Sequence, residues 1–239
     1  MKIAIIPARG GSKRIPGKNV RLFHEKPIIV WSIEAALSSG CFDRVIVSTD
    51  DPIIANIALH AGAEVPFLRP AELSDDMTGT MAVISHAINW LNSTLASAQK
   101  EDTEITHVCC IYATAPFISA EDIKHGLHAL TVGPNDYALA VTNFEFPIQR
   151  AVVLNKQNQL DILQPNHFMT RSQDLPIAFH DAGQFCWGTA AAWLQQKTIF
   201  ANPTVPVFIP SYRVQDVDTE EDWIRAELMF KASYAMKIR

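Results

Sequence analysis

Lys2-Ile3-Ala4-Ile5-Ile6 is an apolar run with the makings of a buried strand, and it passes directly into Pro7-Ala8-Arg9-Gly10-Gly11-Ser12-Lys13-Arg14-Ile15-Pro16-Gly17-Lys18-Asn19, a loop with three glycines and four cations. Small residues at Ala8, Gly10, Gly11 and Ser12 let backbone N–H groups approach an oxyanion closely. Arg9, Lys13, Arg14 and Lys18 supply the charge that a polyphosphate needs. The alternative is a solvated basic turn without a ligand, but four cations on so short a loop repel one another unless something negative visits. The loop carries neither Gly-x-x-x-x-Gly-Lys-Ser/Thr nor Gly-x-Gly-x-x-Gly, so neither common phosphate fingerprint explains it.

Outward from this loop, apolar strand patterns alternate with helical ones, the mark of a mainly parallel sheet with helices on both faces. The pattern predicts a helix over Ile28 to Ser38 ended by Gly40, and a strand over Arg44 to Ser48. Asp51-Pro52 opens a second helix that runs to Gly62. A short strand at Glu64 to Leu68 and a polar connection from Arg69 to Thr80 come next. They are followed by a helix from Met81 to Leu91 and a surface loop from Asn92 to Glu104. Ile105 to Tyr112 reads as a buried parallel strand, Ser119 with Asp122 as a helix start, and Tyr137 to Asn143 as a further strand. Periodicity breaks down from Phe144 to about Pro176, which reads as an inserted arm. Val205 to Ile209 reads as a strand and Trp223 to Met236 as a final helix, with Asp218 as its N-cap. The whole, residues 1–239, reads as a single domain.

At 239 residues with 48% hydrophobic and 19% charged content, the chain has the composition of an ordinary globular protein with a sizeable core. Its formal net charge of −5 argues against broad nucleic-acid binding, because the basic residues concentrate in local loops. Any phosphate partner should be small. No apolar run approaches membrane-spanning length and the first residues are a strand rather than a leader, so a cytoplasmic location is expected, with no membrane partner. Cys41, Cys109, Cys110 and Cys186 lack zinc-site spacing and read as buried free thiols.

Further along, Ser48-Thr49-Asp50-Asp51 reads as a helix start capped by Asp50. Gln215-Asp216-Val217-Asp218-Thr219 places two carboxylates at alternate residues, on one side of an extended chain. Hard cations such as Mg²⁺ take oxygen ligands of this kind together with phosphate oxygens. Asp218 can instead cap the final helix, or serve both purposes.

The opening loop, with Asn19 and the Leu22-Phe23 to Pro27-Ile28 continuation, resembles the amino-terminal signature of the sugar nucleotidyltransferases, above all the cytidylyltransferases that activate nonulosonic (sialic-type) acids. Leu68-Arg69-Pro70-Ala71-Glu72-Leu73 is similar to a second element of that family, and Asp216/Asp218 to its metal-associated aspartates. The resemblance covers essentially the whole chain and implies a Rossmann-like nucleotidyltransferase fold with an arm that exchanges contacts across a homodimer. It also implies a Mg²⁺-dependent attack by the anomeric hydroxyl of a nine-carbon acidic sugar on the α-phosphate of CTP. Arg9, Lys18 and Asn19 are the residues it places on the nucleotide, together with Arg69 and Thr80. The competing reading for Arg69 is a surface ion pair with Glu72.

Tyr112-Ala113-Thr114-Ala115-Pro116-Phe117 leaves a buried strand at its carboxyl end, where open α/β sheets place ligands. The sialic acid enzymes carry a glutamine that faces the sugar where this chain has Tyr112. Phe146-Pro147-Ile148-Gln149-Arg150, Arg171-Ser172-Gln173-Asp174-Leu175-Pro176 and His180-Asp181-Ala182-Gly183-Gln184-Phe185 resemble the branch of the family specific for pseudaminic acid. Within them Ala182 replaces a family asparagine, and Cys186 stands where an aromatic is usual. An acidic sugar needs a cation for its carboxylate, and Arg150 and Arg171 are the candidates. Gln149, His180 and Gln184 complete the expected sugar site. Another acidic sugar (N-acetylneuraminic, legionaminic or 3-deoxy-manno-octulosonic acid) and a non-catalytic CTP-binding regulator are the competing readings.

Overall fold

A computed structural model describes residues 1–97, 104–201 and 203–237, without the side chains of 234–237. The chain runs β1 (Lys2–Pro7), a short hairpin of β2 (Leu22–Phe23) and β3 (Lys26–Pro27), α1 (Ile28–Ser39), β4 (Arg44–Ser48), α2 (Pro52–His60) and α3 (Thr80–Ser97). It continues through β5 (His107–Ile111), α4 (Ala120–Thr131), β6 (Tyr137–Asn143), β7 (Val152–Leu154), β8 (Leu160–Ile162) and β9 (Phe179–Thr189), then α5 (Ala190–Leu194), β10 (Thr204–Phe208) and α6 (Glu220–Lys237). Six strands form one sheet in the order β10-β6-β9-β5-β1-β4. Every pairing is parallel except those of β9, which runs antiparallel to both β5 and β6.

The sheet is covered on both faces because its inner strands are apolar on both sides. On one face α1, α2 and α4 contribute Ile29, Ile33, Ile54, Ile123 and Leu130. On the other, α3 and α5 contribute Ile84, Ile88, Leu91 and Trp193. Local signals bound α1 and α4 where the sequence indicates: Gly40 closes α1 at φ 64°, and the Ser119 hydroxyl accepts the Asp122 N–H to open α4.

Four readings of the sequence need correction. Glu64 to Leu68 forms no strand, only isolated bridges at Glu64 and Leu68. Pro66 stands between them and has no N–H to give a ladder. The helix expected to stop at Leu91 continues to Ser97, since Ser93, Thr94 and Ser97 donate to carbonyls four residues back and so satisfy their hydroxyls within the helix. Of the surface loop expected there, residues 98–103 lie outside the described ones. The third correction is β9, an eleven-residue strand where the sequence shows only a glycine-bearing motif. Its register against β6 slips between Leu139 and Val141, with Gly183 at φ 62° inside the bulge. Lastly, Asp51 rather than Asp50 caps α2, accepting the Ile53 N–H at 2.7 Å.

The irregular segment 144–176 carries the antiparallel β7–β8 ribbon, separate from the main sheet. Its apolar side chains at Phe146, Leu154, Leu160, Phe168 and Met169 are exposed.

A third buried cluster decides where the ends of the chain meet. Ile15 from the opening loop, Phe23, Ile28 and Phe117 pack with Val217, Trp223 and Ala226 from the last segment. Phe23 and Trp223 meet edge to face at 5.6 Å, and the Arg21 guanidinium lies 4.3 Å over the Trp223 ring. Because Trp223 is 2% exposed, Trp223→Ala should cost about 3–5 kcal/mol in denaturant unfolding, the range for losing a buried tryptophan.

Candidate active site

The loop after β1 is held from several sides. Ala8 N–H donates to the Ser48 carbonyl at 2.9 Å, extending the sheet pairing by one residue. Gly10 N–H donates to Asp50 Oδ1 at 3.0 Å. A side chain at Gly10 would place its Cβ 2.7 Å from Asp51 Oδ2, so the close approach admits only glycine. Asn19 Nδ2 donates to the Arg9 carbonyl at 2.9 Å, so this residue ties the loop to itself. Gly11 and Ser12 follow as an open turn, Ser12 N–H donating to the Gly10 carbonyl.

The four cations divide into two pairs, each closed by one carboxylate. Arg9 and Lys13 both ion-pair with Asp76, Arg9 at 2.5 Å. Lys13, then Arg9, holds the Asp76 carboxyl below the usual range. Arg14 Nη1 lies 2.9 Å from Asp218 Oδ2, and Lys18 Nζ lies 3.4 Å from Asp218 Oδ1 while donating to the Val217 carbonyl at 2.6 Å. The start and end of the sequence therefore meet in one site. Asp218 is not the cap expected of it: Thr219 and Asp222 exchange hydrogen bonds to open α6, leaving Asp218 to the cations.

Asp216 lies alongside. Loss of water, then the charge of Asp218, pushes its pKa up, and Lys18 opposes the shift. Two neighbouring carboxylates whose repulsion is only partly offset by Lys18 suit a divalent cation. Among the described residues no group of three His, Cys, Asp or Glu side chains stands ready to cage a metal. Mg²⁺ needs no such cage, since it binds through one or two carboxylates and completes its shell with phosphate oxygens and water. The segment bearing these aspartates is stapled upstream, where Arg213 makes two hydrogen bonds of 2.7 and 2.9 Å to Asp122.

Arg69 is 6% exposed, and its Nε and Nη2 have no hydrogen-bond partner. The pairing with Glu72 does not occur: the nearest carboxylate is Asp50, 3.9 Å from Nη2. Burial, and after it the charge of Arg9, lowers the Arg69 pKa while Asp50 raises it. A buried guanidinium with unmet donors beside a second arginine is set for an anionic ligand. Thr80 is the first residue of α3, at the end of the loop that carries Asp76.

At the other end of the site, Tyr112 follows β5 and its N–H donates to the Gln184 carbonyl at 2.9 Å. Burial, with the charges of Asp181 and Asp216 among the smaller causes, pushes the Tyr112 phenol up. Gln184 donates to the Arg213 carbonyl at 2.6 Å. His180 packs against Phe144 with ring centroids 4.8 Å apart. Gln149 is buried and donates to the Pro176 carbonyl at 2.8 Å, which ties the start of the arm to its end. Arg150 and Arg171 are not gathered with the rest. Arg150 is spent on Thr170 and Ser172, and Arg171 on Asp174, all within the arm.

The geometry adds Asp50, Asp76, Asp122, Asp181 and Arg213 to the residues chosen from sequence. Asp50 lay in a motif that reads equally as a helix start, and Asp76 in a polar connection. Asp181 stands inside the His180 to Phe185 motif, where the sequence points to its neighbours instead.

Comparison with known proteins shows the family and the fold. The family model for Cytidylyltransferase matches residues 3–202. The chain is 43% identical to the pseudaminic acid cytidylyltransferase of Campylobacter jejuni subsp. jejuni serotype O:2, over 97% of both chains. It is 32% identical to the CMP-N,N'-diacetyllegionaminic acid synthase of Legionella pneumophila subsp. pneumophila, over 96% of both. In three dimensions it is similar to a CMP:2-keto-3-deoxy-manno-octonic acid synthetase complexed with CTP, with a TM-score of 0.70 at 16% identity over 97% of this chain and 99% of that one. At that identity the likeness concerns the fold.

Asp76→Asn should free Arg9 and Lys13 and tighten binding of inorganic triphosphate about twofold to fivefold in calorimetry, the scale of exposed ion pairs. Unchanged or weaker binding would mean that Asp76 does not compete for these cations.

Proposed function

Because the chain belongs to the cytidylyltransferase family, we propose that it transfers CMP from CTP to the anomeric hydroxyl of pseudaminic acid, giving CMP-pseudaminic acid and pyrophosphate. One observation carries the reading: Arg14 and Lys18 of the opening loop meet Asp218 of the last segment, beside Asp216. That juxtaposition unites cations for a triphosphate with carboxylates for Mg²⁺. The substrate of the Campylobacter jejuni relative supports the choice of sugar. N,N'-diacetyllegionaminic acid, named in the Legionella pneumophila relative, is the second sugar to consider.

The chemistry follows from charge. As the sugar oxygen bonds to the α-phosphorus, the bond to the bridging oxygen of the β-phosphate breaks and negative charge collects on the leaving pyrophosphate. Arg9, Lys13, Arg14 and Lys18 hold that charge, the glycine backbone lets the phosphates sit close, and buried Arg69 approaches from the side. Asp76 and Asp218 keep the cations extended and paired until the nucleotide arrives. Mg²⁺, held by Asp216 and Asp218, would add positive charge against the phosphate oxygens. Tyr112, Gln149, His180 and Gln184 serve the sugar end. The arm's exposed apolar residues, with Arg150 and Arg171 on the same segment, are proposed to meet a second copy of the chain in a homodimer. This enzyme works in the cytoplasm on our reading.

Pyrophosphate release measured with CTP and a panel of acidic sugars tests the assignment. Pseudaminic acid should exceed N-acetylneuraminic and legionaminic acids in kcat/KM. Asp216→Asn and Asp218→Asn should each lower kcat on the order of a hundredfold at saturating Mg²⁺. Full turnover by both variants would remove the metal role. CTP binding without pyrophosphate from any sugar would favour the non-catalytic reading.

A further inference from the structure

We infer that Asp181 is a sugar-contacting residue, accepting a hydrogen bond from a hydroxyl or amide N–H of the acidic substrate and forming with Gln184 Oε1 a wall of acceptors that fixes how the sugar faces the attacked phosphate. The inference rests on the cytidylyltransferase reading and adds a residue to its sugar end.

The placement comes from the reversed strand. Since β9 is antiparallel to its neighbours, its first residues lie beside the last residues of β6, with Asp181 opposite Val141 and His180 opposite Thr142. That is the sheet edge from which the loop after β1 and Tyr112 also emerge, where open α/β sheets hold ligands. Leu139 pairs with Cys186 and Val141 with Asp181, so the residues between Asp181 and Cys186 bulge out of the ladder with β6, while Phe185 stays paired with Ile111 of β5. The bulge reaches the metal-side carboxylates: a Cβ built on Gly183 would lie 3.9 Å from Asp216.

Two acceptors on this bulge are left for something else. Asp181 Oδ1 takes the Gly183 N–H at 2.8 Å, which locks the carboxylate to the bulge. Its second oxygen has no partner among the described residues. Gln184 is 2% exposed, and with its Nε2 committed to Arg213, its Oε1 is buried with no hydrogen-bond partner. A buried unpaired acceptor is costly and calls for an explanation. A ligand bringing donors provides one. Burial, and to a lesser degree the charge of Asp216, raises the Asp181 pKa, so a donor arriving there relieves a carboxylate short of partners.

The wall also chooses orientation. In a 2-keto acid sugar the anomeric carbon bears both a carboxylate and the attacking hydroxyl. Asp181 repels the carboxylate, which must turn away from it, while the acceptors draw donor groups of the sugar towards β9. A site built to accept from such donors discriminates strongly against a partner that cannot supply them.

The test is steady-state kinetics of wild type, Asp181→Asn and Asp181→Ala with CTP and the sugar panel, using whichever acidic sugar the wild type turns over. Asp181→Asn keeps an acceptor for Gly183 but turns a donor towards the sugar. Its kcat/KM for the sugar should fall on the order of a hundredfold, with KM for CTP within about twofold and an unchanged thermal midpoint. Asp181→Ala should show the same split. Sugar kinetics within about twofold of wild type, or parallel losses in CTP affinity and thermal midpoint, would overturn the inference. A wild type active on another acidic sugar overturns the pseudaminic assignment alone. Inactivity on every sugar overturns both.

Discussion

The whole site depends on a buried contact between the two ends of the polypeptide. Ile15, Phe23 and Ile28 come from the first thirty residues, Val217, Trp223 and Ala226 from the last thirty, and apolar burial holds them together. Charge could not do this alone: Arg14 and Asp218 are both solvent-accessible, and such pairs contribute little to stability. The third cluster fixes the backbone, and the backbone then delivers Lys18 to the Val217 carbonyl and Asp218 to two cations. Position comes from packing and chemistry from the polar residues that packing carries along.

That division explains a site whose polar groups are poorly satisfied. Arg69 is buried with unmet donors, Gln184 with an unmet acceptor, and Asp216 sits beside a like charge. Each costs free energy, and each is tolerated because three hydrophobic clusters supply the stability. The carboxylates of Asp76 and Asp218 ease part of the burden by closing the cation pairs. A chain with net charge −5 can therefore carry a strongly cationic loop without behaving as a basic protein.

Much of this was legible in the sequence. The strand and loop from Lys2 to Asn19, the strand at Tyr137 to Asn143, the glycine stop of α1 and the serine start of α4 all have local physical causes, and local causes can be read from one chain. What escaped was non-local. Whether β9 runs parallel or antiparallel is decided by which strands it enters between, not by its own residues. Asp50 and Asp51 are adjacent carboxylates at a helix start, and only the approach of Gly10 assigns one to the loop and the other to the cap. The need of an acidic sugar for a cation points to Arg150 and Arg171, yet in the single chain both are engaged within the arm.

The reversed strand also decides what Ala182 does. Ala182 is 2% exposed and belongs to the cluster beneath α1, α2 and α4, so its side chain is spent on packing. Polar work on this stretch therefore falls to its neighbours, and the bulge makes that possible. With Gly183 at positive φ, the chain departs from strict alternation just after Asp181, which still pairs with Val141, and Gln184 leaves the ladder with β6. Acceptors stand on both sides of this apolar position, at Asp181 and Gln184. The opening loop thus offers cations, while the start of β9 offers a surface that accepts hydrogen bonds and repels negative charge.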